Sequence, residues 1–471
     1  MRNKLIYKYI GRVLIGFSFL LIIPFLVGLL FKERAYSFVF CSMATFGIGL
    51  LLSFMKVEDK KLFARDGFKI VTLSWILISA IGAIPLMLDT GISYVDAFFE
   101  AVSGFTTTGA TVFSNVELLP KSILFWRDFM HFIGGMGVLA FVMAIIPLAK
   151  NDKSMYVLKA EMPGPTVSKL VPSLKKTLYY LYGIYFTLTL IEFILLIIFK
   201  VPVFDSVLIS MGTAGTGGFS PLVTSCATYS VAAKWTVAAF MFLFGVNFNI
   251  YFLMIIRDFK SVFKSEELRV YTCLYLFTVF LLVINSLSLF SNAYDATLNG
   301  FFNASSFISS TGYSIGNVNM YPTVCRIWIM FMMVVSACAG STCGGFKVSR
   351  LILIFKIIKR DIQKIVHPNS VKIITFDGKK VEDETLESTK SFMFLYIILI
   401  LIIVFIVGLD GFSLEETLNA VFTTFGNVGL YFEVKSFALF SDLSKIAMSI
   451  GMLLGRLEIY PIIALVVYRR K

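Results

Sequence analysis

Four short polar stretches, each carrying glycine and each set between long apolar runs, limit what this chain can fold into more than any other feature. They are Ser103-Gly104-Phe105-Thr106-Thr107-Thr108-Gly109-Ala110-Thr111, Gly212-Thr213-Ala214-Gly215-Thr216-Gly217-Gly218-Phe219-Ser220, Ile308-Ser309-Ser310-Thr311-Gly312-Tyr313 and Thr423-Thr424-Phe425-Gly426-Asn427-Val428-Gly429-Leu430. Irregular backbone at membrane depth persists only where protein surrounds it or where it borders a water-filled path. Aligned on Gly109, Gly218, Gly312 and Gly429, the stretches recur roughly a hundred residues apart, so an internal repeat is the first reading. Thirteen residues before each glycine stand Asp96, Asp205, Asn299 and Glu416. Three are acids and the fourth is a good N-cap, which suits the positive N-terminal end of a helix. A helix of about 12 residues is about 18 Å long, roughly half a bilayer core. Each unit therefore reads as a half-helix whose negative end faces a glycine loop. Four such units around one axis would make a cation pore.

The chemistry of such a pore fixes which residues line it. A dehydrated monovalent cation needs several protein oxygens in place of its water. Carbonyls can point inward in register only if some residues take unusual φ values, which glycine adopts at little cost. The expected lining is Thr107, Thr108 and Gly109; Thr216, Gly217 and Gly218; Ser310, Thr311 and Gly312; and Asn427, Val428 and Gly429. Glu100 lies on the first half-helix, where it is either an ion ligand or, as favoured here, a hydrogen-bond partner of the loop.

Hydrophobic residues make up 58% of the chain, charged residues only 15%, and mean hydropathy is +0.84, a membrane-protein composition. The expected fold class is all-α integral membrane: two N-terminal helices, then four helix–pore loop–helix repeats around one pseudo-fourfold pore. The first two helices are placed at 13–31 and 37–55, and the first is read as a retained span because no small-residue cleavage site follows it. The repeats are placed at 67–150, 151–260, 261–366 and 367–471, after an addition at 1–66. Their half-helices run over 95–106, 204–213, 295–309 and 414–424. The second helix of each repeat is expected at 123–147, 235–256, 327–358 and 446–468, for ten spans in all.

The formal net charge of +13 does not point to nucleic acid, because the Lys and Arg cluster in short loops between spans. Lys4, Lys8, Lys56, Lys60, Lys61, Arg65, Lys69, the 150–176 loop and Arg469, Arg470 and Lys471 all fall on one side. By the positive-inside rule both termini are cytoplasmic. The six cysteines show no metal spacing; they are free thiols, or Cys226 and Cys325 pair near the outer face. His131 is either a proton relay or, with no paired acid in view, a packing and hydrogen-bonding residue.

Two further features lie below the loops. Residues 337–345 are rich in Gly, Ser, Thr and Cys within one apolar helix. They mark close helix packing or a true break; two tight small-residue clusters favour the break. Gly340, Ser341, Thr342, Gly344 and Gly345 then form a deformable segment, with Lys347 as a possible anchor toward the cytoplasm. Arg456 stands in mid-helix, where a charge is costly. Either it faces the pore as a barrier to cations, or it pairs with a carboxylate or carbonyls in the bundle. Residues 371–381 read as a cytoplasmic β-hairpin, since Asp377-Gly378 is a type I′ turn signal.

The chain has two His and lacks HExxH, GxSxG, Walker A and Cys-pair motifs, so an enzyme is not indicated. With these loops, Phe125-Trp126-Arg127-Asp128, Gly134-Gly135-Met136-Gly137, Ala339-Gly340-Ser341-Thr342-Cys343-Gly344-Gly345-Phe346-Lys347 and Gly455-Arg456-Leu457-Glu458, the chain resembles the Trk/Ktr/HKT potassium transporters, above all the bacterial Trk-type membrane subunit. The resemblance spans nearly the whole chain. It implies potassium uptake across the cytoplasmic (inner) membrane, with K+ as cargo, no organic cofactor, and glycine at all four loop positions setting potassium over sodium. It implies that 337–345 is an intramembrane gate under the filter and that Arg456 faces the pore. It also implies a homodimer in membrane lipid and a cytosolic nucleotide-binding regulatory subunit. The fourth loop departs from the family's Asn-x-Gly-Pro-Gly pattern, because Leu430 follows Gly429. A sodium- or proton-coupled potassium carrier is the alternative; inverted-repeat carriers show two related halves rather than four loops.

Overall fold

Long apolar runs become helices here because lipid leaves backbone amides and carbonyls no other partner. The computed structural model of the chain describes residues 2–57, 64–145, 174–290, 292–368, 372–432, 436–457, 459 and 462. Lys60, Lys61, most of the 150–176 loop, Val371, Glu458, most of the expected last helix beyond 457, and Arg469, Arg470 and Lys471 lie outside the described residues.

Helices α1 (Arg2–Leu20) and α2 (Ile22–Leu30) follow each other almost without a gap, so the first span begins well before residue 13. Helix α3 (Tyr36–Ser53) crosses α1 where two glycines meet: a Cβ on Gly11 would lie 2.7 Å from the Gly49 carbonyl oxygen. Small residues permit such close crossings between helices in lipid. Next come α4 (Ala64–Thr90), α5 (Tyr94–Phe105) and α6 (Lys121–Ile145). After these come α7 (Leu174–Ile198), α8 (Val203–Gly215), α9 (Val231–Phe244), α10 (Phe248–Ile255) and α11 (Phe259–Lys264). The third stretch holds α12 (Glu266–Ser286), α13 (Ala293–Ile308), α14 (Thr323–Val334) and α15 (Val348–Val366). The last holds α16 (Asp383–Val407), α17 (Leu414–Phe425) and α18 (Asp442–Leu457).

Among the described residues six helices are long and apolar enough to cross a membrane, and the bent pair α9–α10 is a seventh if counted as one span. The broken α14 and the described part of α18, at 12 and 16 residues, are too short for that measure.

The half-helices α5, α8, α13 and α17 start as their sequences dictate, with one correction. Ser93 caps α5, and Ser413 caps α17 in a reciprocal capping box with Glu416. Asp96 and Asp205 sit in the first turns of α5 and α8. Asn299, however, is not a cap: it lies inside α13, where its amide Nδ2 donates to the Asp295 carbonyl at 2.9 Å. The first-turn acid of α13 is Asp295, because this half-helix begins earlier than the spacing of the others implies.

A second correction concerns the helix expected at 235–256. It breaks after Phe244, and α10 leaves at 93° to α9. A Cβ at Gly245 would lie 2.2 Å from the Tyr271 hydroxyl, and Asn247 restarts the helix by accepting from Asn249 N at 2.9 Å. The third unit breaks as expected, between α14 and α15. There β1 (Val335–Ser336) and β2 (Phe346–Lys347) form a two-residue parallel pair, Val335 opposite Phe346. The hairpin forms from β3 (Thr375–Phe376) and β4 (Lys379–Lys380), with Asp377 at φ 51° and Gly378 at φ 76°, the signs a type I′ turn needs. All six cysteines are free thiols.

Candidate functional site

Each half-helix ends in the same backbone motif. The residue two before the aligned glycine takes left-handed φ: Thr107 at 54°, Thr216 at 56°, Ser310 at 51° and Asn427 at 55°. The residue after it donates its N–H five residues back into the half-helix. Thr108 N reaches Ser103 O at 2.8 Å, and Gly217, Thr311 and Val428 reach Gly212, Ser306 and Thr423 at 2.9 Å. This is a Schellman-type helix stop, in which glycine is the usual left-handed residue. Here four Cβ-bearing residues hold that conformation, at a cost of about 1 kcal/mol or more each. The aligned glycines follow, with φ of 82°, 78°, 86° and 79° at Gly109, Gly218, Gly312 and Gly429.

The four loops then meet in cyclic order. A Cβ on Gly109 would lie 1.9 Å from the Gly217 carbonyl oxygen, and one on Gly218 would lie 2.0 Å from that of Thr311. One on Gly312 would lie 2.0 Å from that of Val428, and one on Gly429 would lie 2.1 Å from that of Thr108. First touches second, second third, third fourth, and fourth first. The ring contacts run through the four glycines and the carbonyls of Thr108, Gly217, Thr311 and Val428, the fourth loop included, although Leu430 follows its glycine. A cavity of about 270 Å³ opens onto all four glycines from one side.

What braces the ring comes mostly from α6. Glu100 accepts from Val112 N and Thr111 Oγ1, both at 2.9 Å, and from Arg127 Nε at 2.8 Å, tying the first loop to α6. The Arg127 guanidinium also lies 4.0 Å over the Phe219 ring of the second loop. His131 donates from Nδ1 to Gly104 O at 2.8 Å while its Nε2 accepts from Phe219 N at 3.2 Å. That pattern assigns the neutral Nδ1–H tautomer and gives His131 the hydrogen-bonding role favoured from sequence. Arg127 stood in the sequence only as part of a motif; an Arg and a His four residues apart within one apolar run were the signal available for both. Losing one partner of a buried ion pair costs about 3–5 kcal/mol. Arg127→Met should therefore lower the thermal midpoint in detergent sharply, while Glu100→Gln, which keeps a hydrogen-bond acceptor, should lower it less. Equal, small shifts would show that the pair does not brace the ring.

The interrupted segment of the third unit lies directly beneath. Cys343 Sγ donates to Ser309 O at 2.8 Å under the third loop, and a Cβ on Gly344 would lie 2.3 Å from Asn427 Oδ1 under the fourth. Thr216 Oγ1 donates to Thr342 O at 3.1 Å under the second. Gly340 and Gly345 take φ of 75° and 71°, which lets the segment turn twice. Ser341 bonds back to Cys338 O at 2.6 Å. Lys347 is not the cytoplasmic anchor expected: its buried ammonium turns into the segment and donates to the carbonyls of Cys343 and, at 2.9 Å, Gly344.

The segment is also stitched to the break between α9 and α10. Phe248 N donates to Gly340 O and Cys338 N to Gly245 O, both at 3.1 Å. Buried Glu267 accepts from Ala339 N at 2.7 Å and from Asn247 Nδ2 at 3.4 Å. Arg456, on α18, bridges the segment and α6. Its guanidinium donates to Thr342 O on the segment and to Gly134 O and Gly135 O on α6, the latter two at 2.8 and 3.2 Å. It thus has carbonyl partners and lies under the loops at once.

A family model described as TrkH, cation transport protein, matches residues 36–469. The chain is 32% identical over 464 residues to the Trk system potassium uptake protein TrkG of Escherichia coli K12, covering 95% of this chain and 94% of that protein. It is also 32% identical over 482 residues to the Trk system potassium uptake protein TrkH of Salmonella typhimurium, covering 99% and 98%. The crystal structure of the potassium transporter TrkH from Vibrio parahaemolyticus superposes with a TM-score of 0.88 at 27% identity, over 99% of both chains.

Proposed function

Because the chain belongs to the TrkH family of cation transport proteins, we propose that it carries potassium into the cell across the cytoplasmic membrane, through one pore made of four helix–loop–helix units. The observation that carries this reading is the closed cyclic contact of the four loops through Gly109, Gly218, Gly312 and Gly429. In it the carbonyl-bearing residues Thr107 and Thr108, Thr216 and Gly217, Ser310 and Thr311, and Asn427 and Val428 line a selectivity filter with their glycines. Oxygen-only rings replace the hydration shell of a monovalent cation. The half-helices aim their negative ends at the same centre.

Below the filter, Gly340, Ser341, Thr342, Gly344 and Gly345, with Lys347 and Arg456, form the proposed gate. The units divide the chain at 67–150, 151–260, 261–366 and 367–471, behind a two-helix addition at 1–66. The proposed assembly is a homodimer with one pore per subunit, regulated by a cytosolic nucleotide-binding partner; the relatives' description as parts of a Trk system supports a partner.

The function is tested with purified protein in liposomes, by flux in potassium, rubidium, sodium and lithium gradients. Potassium and rubidium should pass and sodium should not. Equal sodium flux, or flux only with a sodium or proton gradient, would remove the passive potassium reading. The topology has its own test. Ten spans with cytoplasmic termini put the β3–β4 hairpin inside. A cysteine at exposed Lys379, in a chain whose exposed Cys273 is replaced, should react with an impermeant thiol reagent only after the cells are opened. Labelling in intact cells would overturn the orientation.

A further inference from the structure

The carbonyl cluster that Arg456 occupies has the properties of an ion site in its own right. Three main-chain oxygens, from Thr342, Gly134 and Gly135, converge on one guanidinium. They belong to two elements far apart in sequence, so their convergence is a product of the fold. A main-chain carbonyl has two lone pairs, so a helical oxygen such as that of Gly134 can accept a second partner without leaving its helix.

These oxygens are held in place by contacts that do not involve Arg456. Thr342 O accepts from Thr216 Oγ1 at 3.1 Å, and the Thr342 hydroxyl donates to Phe244 O at 3.4 Å. Helix α6 is pinned under the loops at the two glycines themselves. A Cβ on Gly134 would lie 2.0 Å from Phe105 O, and one on Gly135 would lie 2.6 Å from the Gly215 Cα. The cluster should therefore outlast the arginine side chain.

An arginine is charged under all conditions, and a charge at this depth is tolerated only with compensating partners. Uncharged carbonyls that satisfy a guanidinium present the same negative potential to a dehydrated alkali cation. We propose that the oxygens of Gly134, Gly135 and Thr342 form a second cation site below the filter, filled here by the Arg456 guanidinium and, once that withdraws, by the transported potassium-class ion. Arginine and ion are then mutually exclusive occupants of one site, and the barrier works by occupancy as well as by repulsion. The inference rests on the potassium-pore reading above.

Rubidium tests it, because its anomalous scattering separates it from water. Crystals of wild type, Arg456→Ala and Arg456→Lys would be grown in rubidium. Arg456→Ala should show a peak among the three oxygens in addition to peaks at the filter. Wild type and Arg456→Lys, whose ammonium refills the site, should show the filter peaks alone. If Arg456→Ala does not fold, Arg456→Gln replaces it, since its short amide cannot span three carbonyls. Filter peaks without a lower peak in the Ala or Gln variant would overturn the second site. A lower peak in wild type with Arg456 in place would overturn mutual exclusion. No peak at the four loops in any of the proteins would instead count against the pore reading itself.

Discussion

Changing Gly109 to serine is expected to cut potassium flux at least about tenfold and to raise the sodium-to-potassium ratio by a similar factor, given that about 1.4 kcal/mol is worth tenfold. Two separate penalties act at this position. At φ 82° a side chain is strained by about 1–2 kcal/mol. Its Cβ would also sit 1.9 Å from the Gly217 carbonyl oxygen, so the neighbouring loop must yield. The displaced group belongs to a loop proposed to hold the ion, so selection should suffer more than folding. Gly411→Ala supplies the control: Gly411 has φ 79° but open space around it, so it bears only the strain. That variant should lose some stability and keep its ion preference. Liposome flux in paired potassium and sodium gradients reads both. An unchanged ratio in well-expressed Gly109→Ser protein would remove Gly109 from the filter.

Arg456→Ala should raise flux about thirtyfold without altering ion preference; deletion of residues 339–342, which leaves the guanidinium its Gly134 and Gly135 carbonyls, should raise flux less. Two unit charges about 8 Å apart at an effective dielectric of about 20 repel by about 2 kcal/mol, which is about thirtyfold in rate. The two changes remove opposite ends of the Arg456–Thr342 contact, so the double variant should gain little over Arg456→Ala alone. A folded variant with unchanged or lower flux would place the barrier elsewhere. Additive gains would show two independent barriers.

The half-helices and their loops were legible because local chemistry writes them. An acid and a glycine at fixed spacing are short-range signals, and α5 begins and ends within one residue of its expected bounds. The left-handed residues two before each glycine were less visible, since Thr, Thr, Ser and Asn are only weakly marked for that conformation. The break after Phe244 was missed because Gly245-Val246-Asn247 interrupts an apolar run briefly, and what bends it is distant: Tyr271 and the Cys338–Gly340 segment. Lys347 was misplaced for a similar reason. A lysine after a small-residue run reads as a cytoplasmic end, yet two freed carbonyls of the broken helix give its ammonium a partner inside. Asn299 falls inside its helix because this half-helix is longer than the others and breaks the shared spacing.

Asn427 belongs to two parts of the molecule. It holds the left-handed corner of the fourth loop, and its Nδ2 donates to Thr108 Oγ1 at 2.9 Å and to Met452 O at 3.0 Å. Its Oδ1 lies 2.3 and 2.6 Å from where Gly344 and Gly455 would carry a Cβ, on the segment below and on α18. If that segment moves as the proposed gate would, this side chain has to resettle, and with it a corner of the ring. Binding free energies are reciprocal between coupled sites. If the position of the segment alters how tightly the ring holds an ion, an ion in the ring must alter the position of the segment by the same free energy. Potassium outside the cell would then act as an effector of its own entry, with the number of ions waiting in the ring setting how readily the floor beneath them gives way.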